Sequence, residues 1–181
     1  AWPTDYFIYD GTEKTITATV TNAVGSDVVA VKTYANNKKT NAGTYMAEAV
    51  ELTNANYTVV GGTNISHEWK IEKKDREITL QETFEMNYSI TDRGSIVFKY
   101  TGEEATFTVV SKDESVAMVG TTTPNMVGTS HGGEIEVIPI AGGNTEFVVT
   151  VAESTNYKAI SRTFMISILA TLISTVLGTL F

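Results

Sequence analysis

The amino-acid sequence predicts an all-β chain made of two consecutive β-sandwiches. Apolar and polar residues alternate with a period of two in several runs, and turn-forming residues separate these runs. A short motif also recurs one hundred residues further along the chain, ending at Tyr57 and again at Tyr157. Many short alternating runs with frequent turn signals are typical of a sandwich.

The first alternating run, Thr15–Thr21, places Ile16, Ala18 and Val20 on one face. Strict alternation of this kind predicts a half-buried strand. No stretch before residue 163 has the period of an amphipathic helix. Further strands are predicted at Thr44–Ala49, Glu134–Val137 and Phe164–Ile168, and turns at Asp10-Gly11, Gly132-Gly133 and Gly142-Gly143.

The recurring motif predicts two modules of one kind. Asn54–Tyr57 and Ser154–Tyr157 each follow an alternating run and precede a closing strand, and their offset is the length of one immunoglobulin-type sandwich. We expect each tyrosine to form a structural corner, with its hydroxyl bonded to the backbone. The predicted modules are residues 1–73 and 74–169, both immunoglobulin-like, followed at 170–181 by an apolar tail or the start of a further segment.

Several motifs occur in each half of the chain, and those of the first half are specific in combination. They are Tyr9–Thr12, Asn41–Tyr45, Asn54–Tyr57 and Trp69–Ile71 in the first half, and Ala105–Val109, Ser111–Val119, Gly143–Phe147 and Thr155–Tyr157 in the second. In these motifs the first half resembles bacterial immunoglobulin-like modules of the MBG type, and the second half resembles the broader bacterial immunoglobulin-like group of surface proteins and phage virion proteins. These families imply spacers, adhesins and virion decorations, and they share no catalytic residue that could be transferred.

Composition excludes several kinds of chemistry. The 181 residues carry a formal net charge of −8, and an acidic surface repels the phosphates of nucleic acids. The chain has no cysteine, which excludes disulfides, thiolate metal ligands and a cysteine nucleophile. The sequence also has no phosphate-binding loop, dinucleotide fingerprint or nucleophile elbow.

Individual titratable residues do not combine into a site. His67 and His131 have no second histidine at ligand spacing. The pairs Glu103-Glu104 and Asp113-Glu114 are poor acid–base pairs, because sequence neighbours on a strand point to opposite faces. We therefore predict a non-enzymatic protein with no catalytic residue, no cofactor and no metal. Two alternatives stay open: calcium near Asp75, Glu103 or Asp113, and a Lys–Asn isopeptide bond inside a module.

From Thr163 to Phe181 the chain has nineteen consecutive uncharged residues. After the predicted last strand, this apolar tail should not stay exposed to water in a monomer. A membrane span is one interpretation, although it needs about 20 apolar residues and basic flanks, and Ser and Thr interrupt this run. A strand or linker into a further module and a tail docked on another chain are the others. We expect partner contacts at Leu172, Ile173, Val176, Leu177, Leu180 and Phe181.

The leading functional hypothesis is a phage virion component, such as a head decoration, fibre or tail appendage. Tandem modules, an apolar tail that needs a protein partner, and the lack of a visible secretion signal favour it. The alternative is a fragment of a bacterial cell-surface adhesin or stalk, outside the cell. A third hypothesis is a carbohydrate-binding accessory module with a surface glycan as partner, which would need a planar stripe of exposed aromatic residues.

Alternation also predicts which residues face inward. Trp69 is the largest of them, and its loss should destabilise the first module severely. The predicted core of the first module is Ile16, Ala18, Val20, Val31, Tyr45, Ala47, Tyr57, Trp69 and Ile71; that of the second is Ile78, Leu80, Phe107, Val109, Val137, Val149, Val151, Tyr157, Phe164 and Ile166.

Overall fold

The structure is a computed structural model, and it describes residues 1–3, 6–60 and 65–170. All the regular secondary structure in these ranges consists of β-strands. The chain folds into two compact units. The first consists of Ala1–Lys74 with Thr155–Lys158, and the second of Asp75–Ser154 with the residues from Ala159 onward.

The first unit has one four-stranded sheet and one two-stranded ribbon within its described residues. Its strands are β1 (Tyr6–Ile8), β2 (Lys14–Thr15), β3 (Val31–Ala35), β4 (Lys38–Lys39), β5 (Gly43–Leu52) and β6 (Ser66–Glu72). The sheet has the order β1-β6-β5-β3, in which β1 runs parallel to β6 and the other neighbours are antiparallel. The ribbon pairs β2 with β4.

The second unit contains two four-stranded sheets. Its strands are β7 (Ile78–Thr79), β8 (Thr83–Asn87), β9 (Gly94–Tyr100), β10 (Phe107–Ser111), β11 (Ala117–Val127), β12 (Ser130–Pro139), β13 (Gly143–Val151) and β14 (Ile160–Leu169). One sheet has the order β11-β12-β9-β7 and the other β10-β13-β14-β8. Only β8 and β14 pair in parallel among these neighbours.

This strand order is that of an immunoglobulin-type sandwich, in which strands A, B, E and D face strands C, F and G. Chain order assigns A, B, C, D, E, F and G to β7, β9, β10, β11, β12, β13 and β14. The four-stranded sheet of the first unit has the same strand order as the sheet formed by β10, β13, β14 and β8. In it, β3, β5 and β6 correspond to C, F and G, and β1 runs parallel to G. The chain is therefore two tandem immunoglobulin-like β-sandwiches, and the predicted all-β fold class is confirmed.

The core of the second unit lies between its two sheets. Phe147, Val149 and Val151 of β13 are fully buried, as are Ile135 and Val137 of β12. Of the predicted core, three residues are only half-buried: Phe107, Val109 and Tyr157. Ile78, Leu80, Phe164 and Ile166 are buried as predicted; Ile96, Phe98, Tyr100, Ala117, Ile135, Phe147 and Ile168 are buried without having been predicted.

The first unit has a smaller core around Trp69. The indole is 2% exposed, and its N–H donates a hydrogen bond to the Asn36 carbonyl oxygen at 3.1 Å. The ring contacts Phe7 edge-on, with centroids 6.0 Å apart, and packs against the Tyr45 ring at 5.3 Å. Ile16, Ala47 and Ile71 are buried as predicted; Ala18, Val20, Val31, Tyr45 and Tyr57 are only half-buried.

The strand predicted over residues 15–21 is wrong beyond its first residue, where β2 ends. Burial still alternates there, but no continuous ladder forms: the Ile16 N–H donates to the Asn37 carbonyl oxygen at 3.0 Å and the Thr19 N–H to the Ala1 carbonyl oxygen at 2.7 Å, and side chains supply the other bonds. The Tyr34 hydroxyl accepts a hydrogen bond from the Ala18 N–H at 2.8 Å and donates one to the Ala18 carbonyl oxygen at 3.1 Å. The Asn37 amide nitrogen donates to the Ile16 carbonyl oxygen at 3.0 Å. Alternation thus identified the inward face without identifying the bonding partner.

The turn predicted at Gly132-Gly133 is also wrong, because both glycines lie inside β12. Close packing explains why this strand carries glycine. A Cβ at Gly132 would lie 2.1 Å from the Phe98 carbonyl oxygen, and one at Gly133 would lie 2.5 Å from the Phe107 ring. The chain turns instead between β11 and β12, where Gly128 has a φ of +67°.

Candidate functional site

The six predicted partner-contact residues lie outside the described part of the chain, so this prediction stays a prediction. The same holds for residues 171–181 as a whole. Across the described ranges, no helix is long and apolar enough to cross a membrane. The residues are Leu172, Ile173, Val176, Leu177, Leu180 and Phe181.

Both histidines pack against aromatic rings. His67 stacks on Trp2 with centroids 5.7 Å apart and planes at 10°, and His131 stacks on Tyr100 at 6.0 Å and 22°. Stacked imidazole rings contribute apolar contact area to their units. In residues 1–3, 6–60 and 65–170, no three His, Asp or Glu side chains are grouped so that they could hold a metal ion.

Two carboxylates with lowered pKa values build turns. Asp10 accepts hydrogen bonds from the Thr12 N–H at 2.9 Å, from the Thr12 hydroxyl at 2.6 Å and from the Lys14 ammonium, and these bonds hold its pKa well below the ordinary value. Asp113 accepts hydrogen bonds from the Ser115 hydroxyl at 2.6 Å and the Ser115 N–H at 2.9 Å, which lower its pKa. A carboxylate with a lowered pKa is a poor general acid at neutral pH.

Arg76 is a buried cation of the second unit, 3% exposed. Its guanidinium donates hydrogen bonds to the carbonyl oxygens of Thr101 at 3.0 Å and Glu103 at 2.7 Å, and to the Ser154 hydroxyl at 2.7 Å. It also lies 5.4 Å from the centroid of the Tyr100 ring. These contacts fix the turn after β9. Sequence reasoning missed this residue, because it sits in a charged run that resembles an exposed connection.

Asn156 has the equivalent structural role in the first unit, where it is 4% exposed. Its side-chain oxygen accepts a hydrogen bond from the Ala42 N–H at 2.7 Å, and its side-chain nitrogen donates to the Asn41 side-chain oxygen at 3.2 Å. Its own carbonyl oxygen accepts from the Lys74 N–H at 2.9 Å. The asparagine of the repeated motif therefore organises the loop before β5.

The tyrosines of the repeated motif follow strand F in both units, at equivalent positions of the topology. The Tyr57 hydroxyl accepts a hydrogen bond from the Val24 N–H at 2.9 Å and donates one to Asp27 at 2.8 Å. The backbone bond expected of a corner tyrosine is thus confirmed at Tyr57. Tyr157, which belongs to the first unit, contacts the Tyr9 ring edge-on at 5.7 Å.

An open groove of about 350 Å³ lies in the first unit. Among the described residues, no charged side chain lines it. Two of its residues, Ala49 on β5 and Val31 on β3, place it over the four-stranded sheet. Ala49 continues the inward-facing positions of Tyr45 and Ala47 along β5. The other apolar lining residues are Ala1, Ala18, Val20, Leu52, Val59, Val60 and Ile65, and the polar ones are Thr19, Thr21 and Asn22.

A second groove, of about 710 Å³, lies in the second unit beside the hairpin formed by β11 and β12. Pro124, Met126 and His131 line it, together with one carboxylate, Glu104. The Tyr100 ring forms part of its floor, and the hydroxyl of that ring is bonded to both the N–H and the carbonyl oxygen of Ala105. These side chains form a small surface with both apolar and polar groups.

Exposed aromatic side chains are scarce in the described ranges. Tyr6 is 63% exposed, and the other described aromatic rings are half-buried or buried. A carbohydrate-binding stripe needs several coplanar exposed rings. The described residues do not form such a stripe, and a surface glycan as partner stays an untested prediction.

Comparisons with known proteins give weak similarities. No family model matches the chain, and no curated protein matches it. Several solved structures are similar to it, including the following three. Domains 4 and 5 of the S-layer protein SbsC have 11% identity over 71% of this chain and 66% of that one, with a TM-score of 0.40. A tandem pair of titin immunoglobulin domains has 10% identity over 92% of this chain and 93% of that one, with a TM-score of 0.35. Cadherin-like domains 1 to 4 of zebrafish RET have 10% identity over 71% of this chain and 34% of that one, with a TM-score of 0.33. The chain thus spans less than two thirds of the S-layer fragment and about one third of the RET fragment.

Proposed function

We propose that the chain is a structural or adhesive protein without catalytic activity, whose two sandwiches form part of a larger assembly. The observation that supports this most is that polar side chains with several hydrogen bonds hold loops of their own unit. Asp10, Arg76, Asp113 and Asn156 each make several hydrogen bonds to loops of their own unit. Their chemistry is thereby committed to holding loop shape, as a spacer or adhesive module requires.

The finer form of the proposal is a phage virion component, and its alternative is a bacterial cell-surface adhesin or stalk. Both are supported by the resemblance of residues 105–109, 111–119, 143–147 and 155–157 to the bacterial immunoglobulin-like group of virion and surface proteins. Virion appendages and surface adhesins also both use rigid modules that hold a contact surface away from the point of attachment. The two proposals differ in whether the protein is bound to a phage particle or to the bacterial cell surface.

Fractionation distinguishes the two. Phage particles and cell envelopes would be purified from the same culture, and each would be analysed by quantitative mass spectrometry. Enrichment in intact particles, retained after a density gradient, is the expected result for a virion component. Enrichment in the envelope alone would replace the virion proposal with the adhesin. Recovery only in the soluble cytosol would contradict both.

A further inference from the structure

The first unit has an apolar layer that its own described chain does not cover. In the second unit, a four-stranded sheet faces the sheet formed by β10, β13, β14 and β8. In the first unit, the matching sheet is accompanied by the ribbon of β2 and β4 and by residues 16–20, which form no strand. The groove of about 350 Å³ is open over this sheet.

Most of the groove lining is apolar, and Thr19, Thr21, Asn22 and the amino terminus at Ala1 add polar groups. Val31, Leu52 and Ile65 are half-buried, whereas the buried cluster of this unit is centred on Trp69. At the rim, Val60 is 76% exposed. The volume falls within the range of about 300–1,000 Å³ that is usual for binding sites, and such sites are mostly apolar. An apolar segment of protein chain is therefore the chemistry that fits.

The chain itself contains such a segment. Residues 171–181 follow Ala170 directly and contain no charged side chain. Six of the eleven are Thr, Ile, Val or Phe, residue types that are enriched in strands. Eleven residues reach roughly 36–40 Å when fully extended. The ten residues of β5, which forms part of the groove floor, extend for about 34 Å.

We infer that residues 171–181 of a second copy of this chain occupy the groove of the first unit. The match rests on three points: a groove whose described lining carries no charged side chain, a segment without charged side chains, and a length of segment sufficient to span β5. Donation of a strand to an incomplete β-structure is an established mode of recognition. The inference deepens the proposed function and rests on it, since it names the partner within the assembly.

A second copy is the occupant that serves a structural role. A segment of one copy bound to a different surface of the next is a heterologous contact, which is repeated from copy to copy and forms rings or filaments. Such contacts would join many copies through one repeated interface. The same segment bound within its own copy would close the groove without linking copies.

Disulfide trapping tests whether residues 171–181 occupy the groove and whether they come from a second copy of the chain. The chain has no cysteine, so a pair can be introduced cleanly into the full chain: Val60→Cys at the groove rim with Leu177→Cys in the segment. The matched control is Val28→Cys with Leu177→Cys, because Val28 is 88% exposed and does not line the groove. Both pairs would be oxidised at equal dilution and separated on non-reducing gels.

The expected result is a ladder of linked copies that collapses on reduction. Its yield with Val60→Cys should exceed the control by about tenfold, because docking raises the local concentration of the two thiols. Equal yields from both pairs would overturn the groove as the docking site. Loss of free thiols without any increase in mass would show that the segment binds its own copy, and would overturn the second copy as its source.

Sedimentation velocity provides an independent readout. Val60→Asp places a charge at the groove rim and should shift associated copies to monomers, whereas Val28→Asp should not. Circular dichroism of both variants verifies that the fold is intact. A wild-type chain that stays monomeric at every concentration would overturn the inference. The virion or adhesin proposal would be unaffected by that result, because fractionation tests it separately.

Discussion

The two units share one sheet and differ in the layer that faces it. Both have the strand order C, F, G and a short parallel strand, formed by β3, β5, β6 and β1 in the first unit and β10, β13, β14 and β8 in the second. Within the described residues, only the second unit covers that sheet with four further strands. As a result, Phe147 and Ile135 are fully buried, whereas Val31 and Leu52 stay half-buried. Equal alternation on a strand therefore does not ensure equal burial, which depends on the opposing layer.

Replacing Trp69 with Ala should cause the largest change in the stability of one unit relative to the other. The first unit's core is small, and loss of a buried tryptophan costs about 3–5 kcal/mol in free energy of unfolding. Calorimetry should show the transition of the first unit lowered or lost and that of the second unit unchanged. An unchanged melting profile would show that Trp69 does not support the first unit.

Arg76 provides the matching test in the second unit. Arg76→Met removes the donors for two carbonyl oxygens, which should lower the stability of that unit by about 2–3 kcal/mol. Arg93→Met is the control, because Arg93 is exposed and its guanidinium donates to the carbonyl oxygens of nearby residues. Its effect should stay within about 0.5 kcal/mol. Equal losses of stability for Arg76→Met and Arg93→Met in urea denaturation would mean that the hydrogen bonds of Arg76 do not stabilise the second unit.

Tyr34→Phe should have a smaller effect, confined to the first unit. It removes the hydroxyl that bonds both the N–H and the carbonyl oxygen of Ala18. Loss of these bonds should cost about 1–2 kcal/mol. Hydrogen exchange should also become faster at the Ala18 amide and stay unchanged in β9. Unchanged exchange at Ala18 would show that another group protects this segment.

Acid should weaken both units slightly, through different turns. The folded-state pKa values of Asp10 and Asp113 are lowered, so each carboxylate stabilises its unit above its unfolded pKa of about 4. This stability is lost as the pH falls through the folded pKa. Asp10→Asn should reduce the acid dependence of the first unit's melting temperature, and Asp113→Asn that of the second. A uniform change in both units from either variant would contradict this assignment.

The limits of sequence reasoning have physical causes. Ile96, Phe98 and Tyr100 alternate along β9, so their burial could have been predicted from the same period that identified β5. Arg76 could not, because its burial depends on carbonyl oxygens that only the fold brings near it. The groove had no sequence signal either, since it results from strands that the described part of the first unit lacks. Residues 16–20 kept the predicted face, but their hydrogen bonds go to the side chains of Tyr34 and Asn37 and to the backbone of Asn37 and Ala1 instead of to a neighbouring strand.

Hydrogen exchange on the full chain and on a chain lacking residues 170–181 tests the central claim most directly. Both sandwiches should stay folded after the deletion. If the segment of one copy completes the first unit of another, the deletion should reduce amide protection along β3 and β5, at concentrations where the full chain associates, and leave β9 and β12 protected. Reduced protection of β9 and β12 would place the segment in the second unit's core. That result would contradict the account of an incomplete first unit and a complete second one.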